Sequence, residues 1–217
     1  MRPQNIIFDF DGTLVDSRPG IVEAFKKVIK KLAAQKITDQ EVIKLLGTPL
    51  AQIINILLKT SDEATISKGQ DLFKEYYSKN GLYQNIVYPG VEEMLKSLKD
   101  QSRQLFVVSN KIELFMNKIL EQRHLKKYFT FVLGTDGTDT QSKKPERVKY
   151  LLDHYKLKKH ETVMVGDTEN DIIAGKRNFI YSIGTTWGYG LESALIKAKA
   201  DKICHSPLKL EQFIRKY

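Results

Sequence analysis

Cysteine is almost absent from this chain: Cys204 stands alone among 217 residues, which excludes an internal disulfide and a thiolate cluster for zinc. Long apolar runs are missing too. Ile53 to Leu58, the most apolar part of its segment, is flanked by Gln52 and Lys59 and is far too short to span a bilayer. Met1 to Asn5 leads straight into an apolar strand-like run without the hydrophobic core of a signal peptide, so a cytoplasmic protein with no membrane partner is expected. Histidine is sparse, and His124, His154, His160 and His205 are scattered without metal-ligand spacing.

Acidic residues are outnumbered, 26 against 35 basic ones, giving a formal charge of +9. The lysines fall in scattered pairs, Lys26-Lys27, Lys30-Lys31 and Lys126-Lys127, interleaved with apolar residues at helical spacing. That pattern describes solvated helix faces, not a basic patch with stacking aromatics, and no nucleic-acid partner is expected. The positive field would still favour small phosphorylated metabolites.

What is present begins at the amino end. Ile6-Ile7-Phe8 reads as a strand buried on both faces, and it stops at Asp9, followed by Phe10, Asp11 and Gly12. In a parallel sheet, ligands sit beyond the carboxyl ends of the strands, so the two acids would stand at the mouth of a site, with Gly12 permitting a tight turn. Two carboxylates in one turn repel each other unless one is protonated or a cation lies between them. Magnesium, which takes oxygen ligands and one or two carboxylates, meets that need.

Next, Ile21, Phe25, Val28, Ile29 and Leu32 repeat at helical spacing, with Ser17 as a candidate cap and Pro19 in the first turn. Further helices are expected over Asp39 to Leu46, Leu50 to Leu58, and from Ser61 or Glu63 to Lys79. This helical block, residues 16–84, reads as a lid inserted after the first strand. From Tyr88-Pro89-Gly90-Val91 onward the chain alternates helices with strands at Leu105 to Val108, Phe129 to Leu133, Val163 to Val165 and Ile180 to Ile183, as parallel βα units require. A last helix is capped by Ser206 with Pro207 at its first position.

Three more polar segments follow apolar runs. Ser109-Asn110-Lys111 offers a hydroxyl and amide hydrogens at a strand-to-helix junction, suited to an anion as well as to ordinary capping. Lys143-Lys144-Pro145, after the polar loop Gly134 to Lys144, offers an ammonium to offset repulsion between negative charges gathered at such a site, about 4 kcal/mol per charge pair at 4 Å in an effective dielectric near 20. Asp167-Thr168-Glu169-Asn170-Asp171 offers further carboxylates: Asp167 to complete a magnesium site and Asp171 to support it from behind.

The run Asp9-Phe10-Asp11-Gly12-Thr13-Leu14 resembles the first motif of the haloacid dehalogenase-like hydrolases, and Val15-Asp16-Ser17 extends it toward the phosphoglycolate phosphatase-like branch. The other segments follow in the family's order, and Trp187-Gly188-Tyr189-Gly190 resembles a segment of that branch. The resemblance implies an α/β fold with a Rossmann-like parallel core, residues 1–15 and 85–217, and an inserted α-helical cap, residues 16–84. It implies a magnesium-dependent phosphatase for a small phosphate monoester, phosphoglycolate among the candidates. In that pattern Asp9 is the nucleophile and Asp11 the general acid and base, Ser109 and Lys144 grip the phosphate, and Asp9, Asp167 and the main-chain carbonyl of Asp11 hold the metal. Thr13, Asn110, Gly47 and Thr48 join Ser109 and Lys144 as candidates for substrate binding.

The family often shows Lys-Pro-x-Pro where this chain has Lys144-Pro145-Glu146-Arg147, which keeps Lys143 as a competitor. A β-phosphoglucomutase-like mutase, a nucleotidase or pyrophosphatase, and a non-enzymatic phosphoacceptor are the rival readings. A dehalogenase is disfavoured because Asp11 is present. Monomer and homodimer both remain open.

Overall fold

The computed structural model describes residues 3–136 and 143–216. Its centre is a strand, β1 (Asn5–Phe8), whose four side chains are all buried. Successive side chains of a strand point to opposite faces. Ile6 and Phe8 accordingly join one apolar cluster and Ile7 the other. Burying each such side chain contributes roughly 1.5–3 kcal/mol, which fixes the strand's position between two helical layers.

β1 pairs in parallel with β4 (Gln104–Ile112) on one side and β6 (Thr162–Gly166) on the other. Adding β5 (Phe131–Thr135), β7 (Tyr181–Thr185) and β8 (Lys202–Cys204) gives a six-stranded sheet in the order β5-β4-β1-β6-β7-β8. All its neighbours run parallel. Because the chain leaves β1 toward both sides, the crevice at its carboxyl end is the topological switch point where parallel sheets bind ligands. One face is covered by α5 (Val91–Asp100), α6 (Glu113–Gln122) and α10 (Pro207–Lys216), the other by α7 (Lys144–His154) and α8 (Glu169–Arg177). The short α9 (Glu192–Lys197) lies between β7 and β8.

The expected helical block forms α1 (Arg18–Ala33), α2 (Asp39–Ile43), α3 (Leu50–Leu58) and α4 (Glu63–Lys79). Its interior, including Phe25, Ile54 and Phe73, is continuous with the apolar cluster on the α5–α6 side of the sheet. The chain enters and leaves the block through a two-stranded antiparallel ribbon, β2 (Val15–Asp16) with β3 (Ile86–Val87), in which Asp16 faces Ile86. Among the described residues no helix is long and apolar enough to cross a membrane.

Several local expectations change. α2 starts from a full capping box, Glu41 N donating to Thr38 Oγ1 at 3.3 Å and Thr38 N to the Glu41 carboxylate at 2.7 Å. It ends at Ile43 and not at Leu46, in a turn that leads to Gly47 at φ +88°. Ser17 sits at the N-cap of α1 but makes no side-chain capping bond. β5 begins two residues later than the apolar run suggested. Part of the polar loop expected over Gly134 to Lys144, residues 137–142, lies outside the described residues.

Candidate active site

Asp9 follows directly on β1, and its amide N–H donates to the Val165 carbonyl at 2.8 Å, so the backbone is still held by the sheet where the first acid emerges. The turn then closes through Leu14 N to Phe10 O at 2.9 Å and Gly12 N to Val15 O at 2.9 Å. Gly12 has φ +84°, and a Cβ there would collide with the Asp167 carboxylate. Glycine is needed twice over at that position, for the left-handed backbone and for the approach of Asp167.

Asp9, Asp167 and Asp171 converge, each placing a carboxylate oxygen within 4.8 Å of the others, and all three are buried. They come from the ends of two adjacent strands and the first turn of α8. A single buried ammonium lies among them: Lys144 Nζ is 2.8 Å from Asp9 Oδ1 and 2.6 Å from Asp171 Oδ1. Burial opposes the charge on Lys144, yet Asp171 and Asp9 more than offset it and hold the ammonium above the ordinary lysine range. Lys143 is exposed at the N-cap of α7, so Lys144 alone of the pair reaches the acids.

Three carboxylates against one ammonium leave a negative excess in a buried place. Asp167 shows the strain: burial first, then repulsion from Asp171 and Asp9, pushes its carboxyl up to about 8, despite hydrogen bonds from Tyr189 N at 2.7 Å and Thr13 Oγ1 at 3.1 Å. Burial likewise raises Asp171, with Lys144 and then Asp9 acting in opposite directions. An all-oxygen donor set with surplus negative charge fits a hard divalent cation such as magnesium. Asp171 also accepts from Thr168 N at 3.0 Å and Thr168 Oγ1 at 2.8 Å, which anchors it to the start of α8.

Asp11 is directed elsewhere. Its carboxylate pairs with Lys111 Nζ at 3.0 and 3.1 Å, and the same ammonium donates to the Tyr77 hydroxyl of α4 at 3.0 Å. Burial opposes the Lys111 charge, and Asp11 and Tyr77 restore it, so this ammonium too is held above its usual range. Neither Lys111 nor Tyr77 stood out in the sequence as a site residue. The juxtaposition of Lys111 with Asp11, 100 residues away, leaves no spacing signal to find.

The polar run Ser109-Asn110-Lys111 lies within β4, which continues to Ile112 with a register irregularity after Val108, instead of at the start of a helix. Such an irregularity re-aims side chains at the end of a strand. Ser109 and Asn110 line a cavity of about 80 Å³ together with Asp9, Asp11, Lys111 and Lys144. Asn110 Nδ2 donates to the Gly47 carbonyl at 3.0 Å, and its Oδ1 accepts from Arg147. Gly47 and Thr48 form part of the opposite wall with apolar residues of the helical block, including Ile21, Phe25, Ile53 and Phe73. Thr13 does not reach this wall; it is fully buried against Asp167.

The segment Trp187 to Gly190 acts as a brace. Trp187 Nε1 donates to the Thr13 carbonyl at 3.0 Å, and the Tyr189 hydroxyl accepts from Ser17 N at 2.9 Å. A Cβ at Gly188 would collide with the Gly12 carbonyl and Asp167. The segment therefore presses the first turn and the Asp167 carboxylate together.

Residues 6–185 match the family described as haloacid dehalogenase-like hydrolase. A phosphoglycolate phosphatase from Vibrio parahaemolyticus is 31% identical, with 96% of this chain and 95% of the relative covered. A 5'-nucleotidase from Pseudomonas aeruginosa is 28% identical over 100% of this chain and 98% of its own length. Among solved structures, one described as a predicted phosphatase from Clostridium acetobutylicum is 31% identical, covers 100% of both chains and superposes with a TM-score of 0.94. With its parallel core, and with Asp9 of the first motif meeting Asp167 and Asp171 of the segment after β6, the chain belongs to the haloacid dehalogenase-like hydrolases, in their phosphoglycolate phosphatase-like branch.

Proposed function

We propose that this hydrolase is a magnesium-dependent phosphatase of a small phosphate monoester, acting through an aspartyl-phosphate. The observation that carries the reading is the buried Lys144 bridging Asp9 and Asp171 beside a third acid, with Lys144 and Asp9 both lining the cavity. A carboxylate so placed is exposed to substrate on one side and electrostatically supported on the other.

In the first step an Asp9 carboxylate oxygen attacks phosphorus in line, the ester P–O bond breaks, and Asp11 gives the leaving oxygen its proton. Asp11 then takes a proton from water, which attacks phosphorus of the acyl phosphate and returns Asp9 as a carboxylate with release of inorganic phosphate. Ser109 and Lys144 hold the phosphoryl oxygens through both steps. Asp9, Asp167 and the main-chain carbonyl of Asp11 would hold magnesium, with Asp171 fixing Lys144 close by. When bound, the cation supplies neutralisation of the negative excess that the four charged side chains leave.

We assign residues 16–84 as a cap on a core of residues 1–15 and 85–217, its excursion pivoting at the β2–β3 ribbon. With the cap packed down, its apolar residues exclude water from the acyl phosphate. The small cavity supports a small ester, and the phosphoglycolate phosphatase relative makes phosphoglycolate the leading candidate; the 5'-nucleotidase relative supports a nucleoside monophosphate as the second. A cytoplasmic setting suits such metabolites. The test is phosphate release from a panel of phosphorylated metabolites with and without magnesium. Stoichiometric release that vanishes in Asp9→Asn is expected, while isomerisation of a sugar phosphate without release would overturn the reading.

A further inference from the structure

The phosphoryl chemistry uses Lys144 at the start of α7 but leaves Arg147, one helical turn later, without a role. Arg147 is only 5% exposed, a costly place for a guanidinium, which keeps its charge at any ordinary pH. Residues three apart on a helix share a face. The first turn of α7 therefore directs two cations to the site: Lys144 to Asp9 at 2.8 Å, and Arg147, through a terminal nitrogen, to the side-chain oxygen of Asn110. A chain with the Lys-Pro-x-Pro pattern has proline at this position and could not make the second contact. We propose that Arg147 is a positioning residue, which sets the Asn110 amide so that the Gly47 turn of the cap is held down over the cavity. The proposal rests on the phosphatase reading above for its kinetics, whereas its hydrogen-exchange readout stands without that reading.

A guanidinium only donates, so it selects one of the two near-isosteric orientations of the amide, with the oxygen toward Arg147 and the NH2 group away from it. In that orientation Asn110 Nδ2 donates to the Gly47 carbonyl at 3.0 Å. Turned over, the amide would set its oxygen against that carbonyl, and two acceptors repel. Arg147 thereby decides whether the contact attracts. The turn is fitted to the core at the same point: Gly47 has φ +88°, and a Cβ there would lie 3.2 Å from Thr168 Cγ2. Gly47 and Thr48 line the cavity together with Asn110, Asp9 and Lys144, so a shift of the turn changes the space left for substrate. Asn170 reaches the same carbonyl at 3.4 Å, so loss of the Asn110 bond loosens the turn without releasing it.

The experiment is a double-mutant cycle of Arg147→Met, Asn110→Ala and the pair. It is read by kinetics on 2-phosphoglycolate and by amide hydrogen exchange of the full chain with no substrate present. Arg147→Met should raise KM roughly tenfold, the scale of one hydrogen bond to a charged group, with kcat changed far less. Exchange at residues 45–49 should quicken while that of β1 and β6 holds. The pair should be no worse than Asn110→Ala, because both substitutions break the same relay. Effects that multiply to about a hundredfold would mean that Arg147 acts without Asn110, through its charge on Asp9, and would overturn the proposal. So would a loss confined to kcat, unchanged exchange at residues 45–49, or exchange quickened evenly through the sheet, the mark of a merely structural side chain. If Arg147→Met fails to fold, Arg147→Gln carries the same cycle, since its polar side chain ends well short of the arginine's terminal nitrogens. Absence of phosphate release from every ester would defeat the phosphatase reading, and the exchange cycle would still decide the role of Arg147.

Discussion

Asn110 of the core donates its side-chain amide to the main-chain carbonyl of Gly47, in the turn between α2 and α3, at 3.0 Å. Asn170, at the start of α8, reaches the same carbonyl at 3.4 Å. Two core side chains thus hold one backbone atom of the helical block over the cavity. Asn110→Ala removes the shorter bond, together with the one from Arg147, and should lower kcat/KM about tenfold, mostly through KM, because Asp9, Asp11 and Lys144 are untouched while the cavity wall is loosened. Faster amide hydrogen exchange at residues 45–49 in the variant would tie the loss to the turn, and unchanged exchange would argue against it.

Gly12→Ala tests the crowded first turn. A residue with a Cβ at φ +84° costs about 1–2 kcal/mol from the backbone alone, and here the added methyl also displaces the Asp167 carboxylate. The variant should unfold at lower temperature and bind magnesium more weakly. Calorimetric titration with magnesium separates the two effects, since a purely backbone penalty would leave the affinity of the folded fraction unchanged.

The fold was largely legible because β1, β4 and β6 are short apolar runs buried on both faces, and each ends at polar residues that a buried strand would not carry without cause. Leu50 to Leu58 was equally plain, its apolar residues bounded by Pro49 and Lys59. What stayed hidden depends on tertiary approach. Lys111 resembled any lysine after a strand until Asp11 and Tyr77 enclosed it. Ser109 was expected at a helix start because nothing local distinguishes an extended strand with a register shift from a cap. The strand β8, Lys202–Cys204, is too short to carry a period-two signal. Trp187 to Gly190 resembles a segment of the branch, but only the positions of Thr13, Ser17 and Asp167 reveal what its small and aromatic residues are fitted to.

Asp167, proposed above as a magnesium ligand, links stability to pH. Its carboxyl is raised from an ordinary 3.8 to about 8 in the folded chain. Between those values the unfolded chain has lost the proton that the folded chain retains, so stability is greatest below about pH 4 on this account and falls as pH rises toward 8. Magnesium competes with that proton, and its stabilisation should therefore be larger at pH 8 than at pH 6. At a hundredfold excess over Kd the gain is about 2.7 kcal/mol, or roughly 5–10 °C in Tm for a chain of this size. Thermal melts in EDTA and in magnesium at the two pH values measure it; a metal shift independent of pH would remove Asp167 from the binding site.

Lys144→Met gives the sharpest test of the buried charge arrangement. Removing the ammonium leaves Asp9 and Asp171 facing each other and Asp167 without the cation that now bridges the other two. Deleting one partner of a buried ion pair costs roughly 3–5 kcal/mol, because the remaining charge stays desolvated. Activity should fall by about 10³-fold or more as the phosphoryl oxygens lose a fixed cation. Adding Asp171→Asn to Lys144→Met removes the surplus charge again, so the double variant should recover much of the stability and none of the activity. Chemical denaturation alongside phosphate release distinguishes this from simple loss of packing: if the double variant were no more stable than Lys144→Met, the cost would lie in the missing side-chain volume and not in unpaired carboxylates.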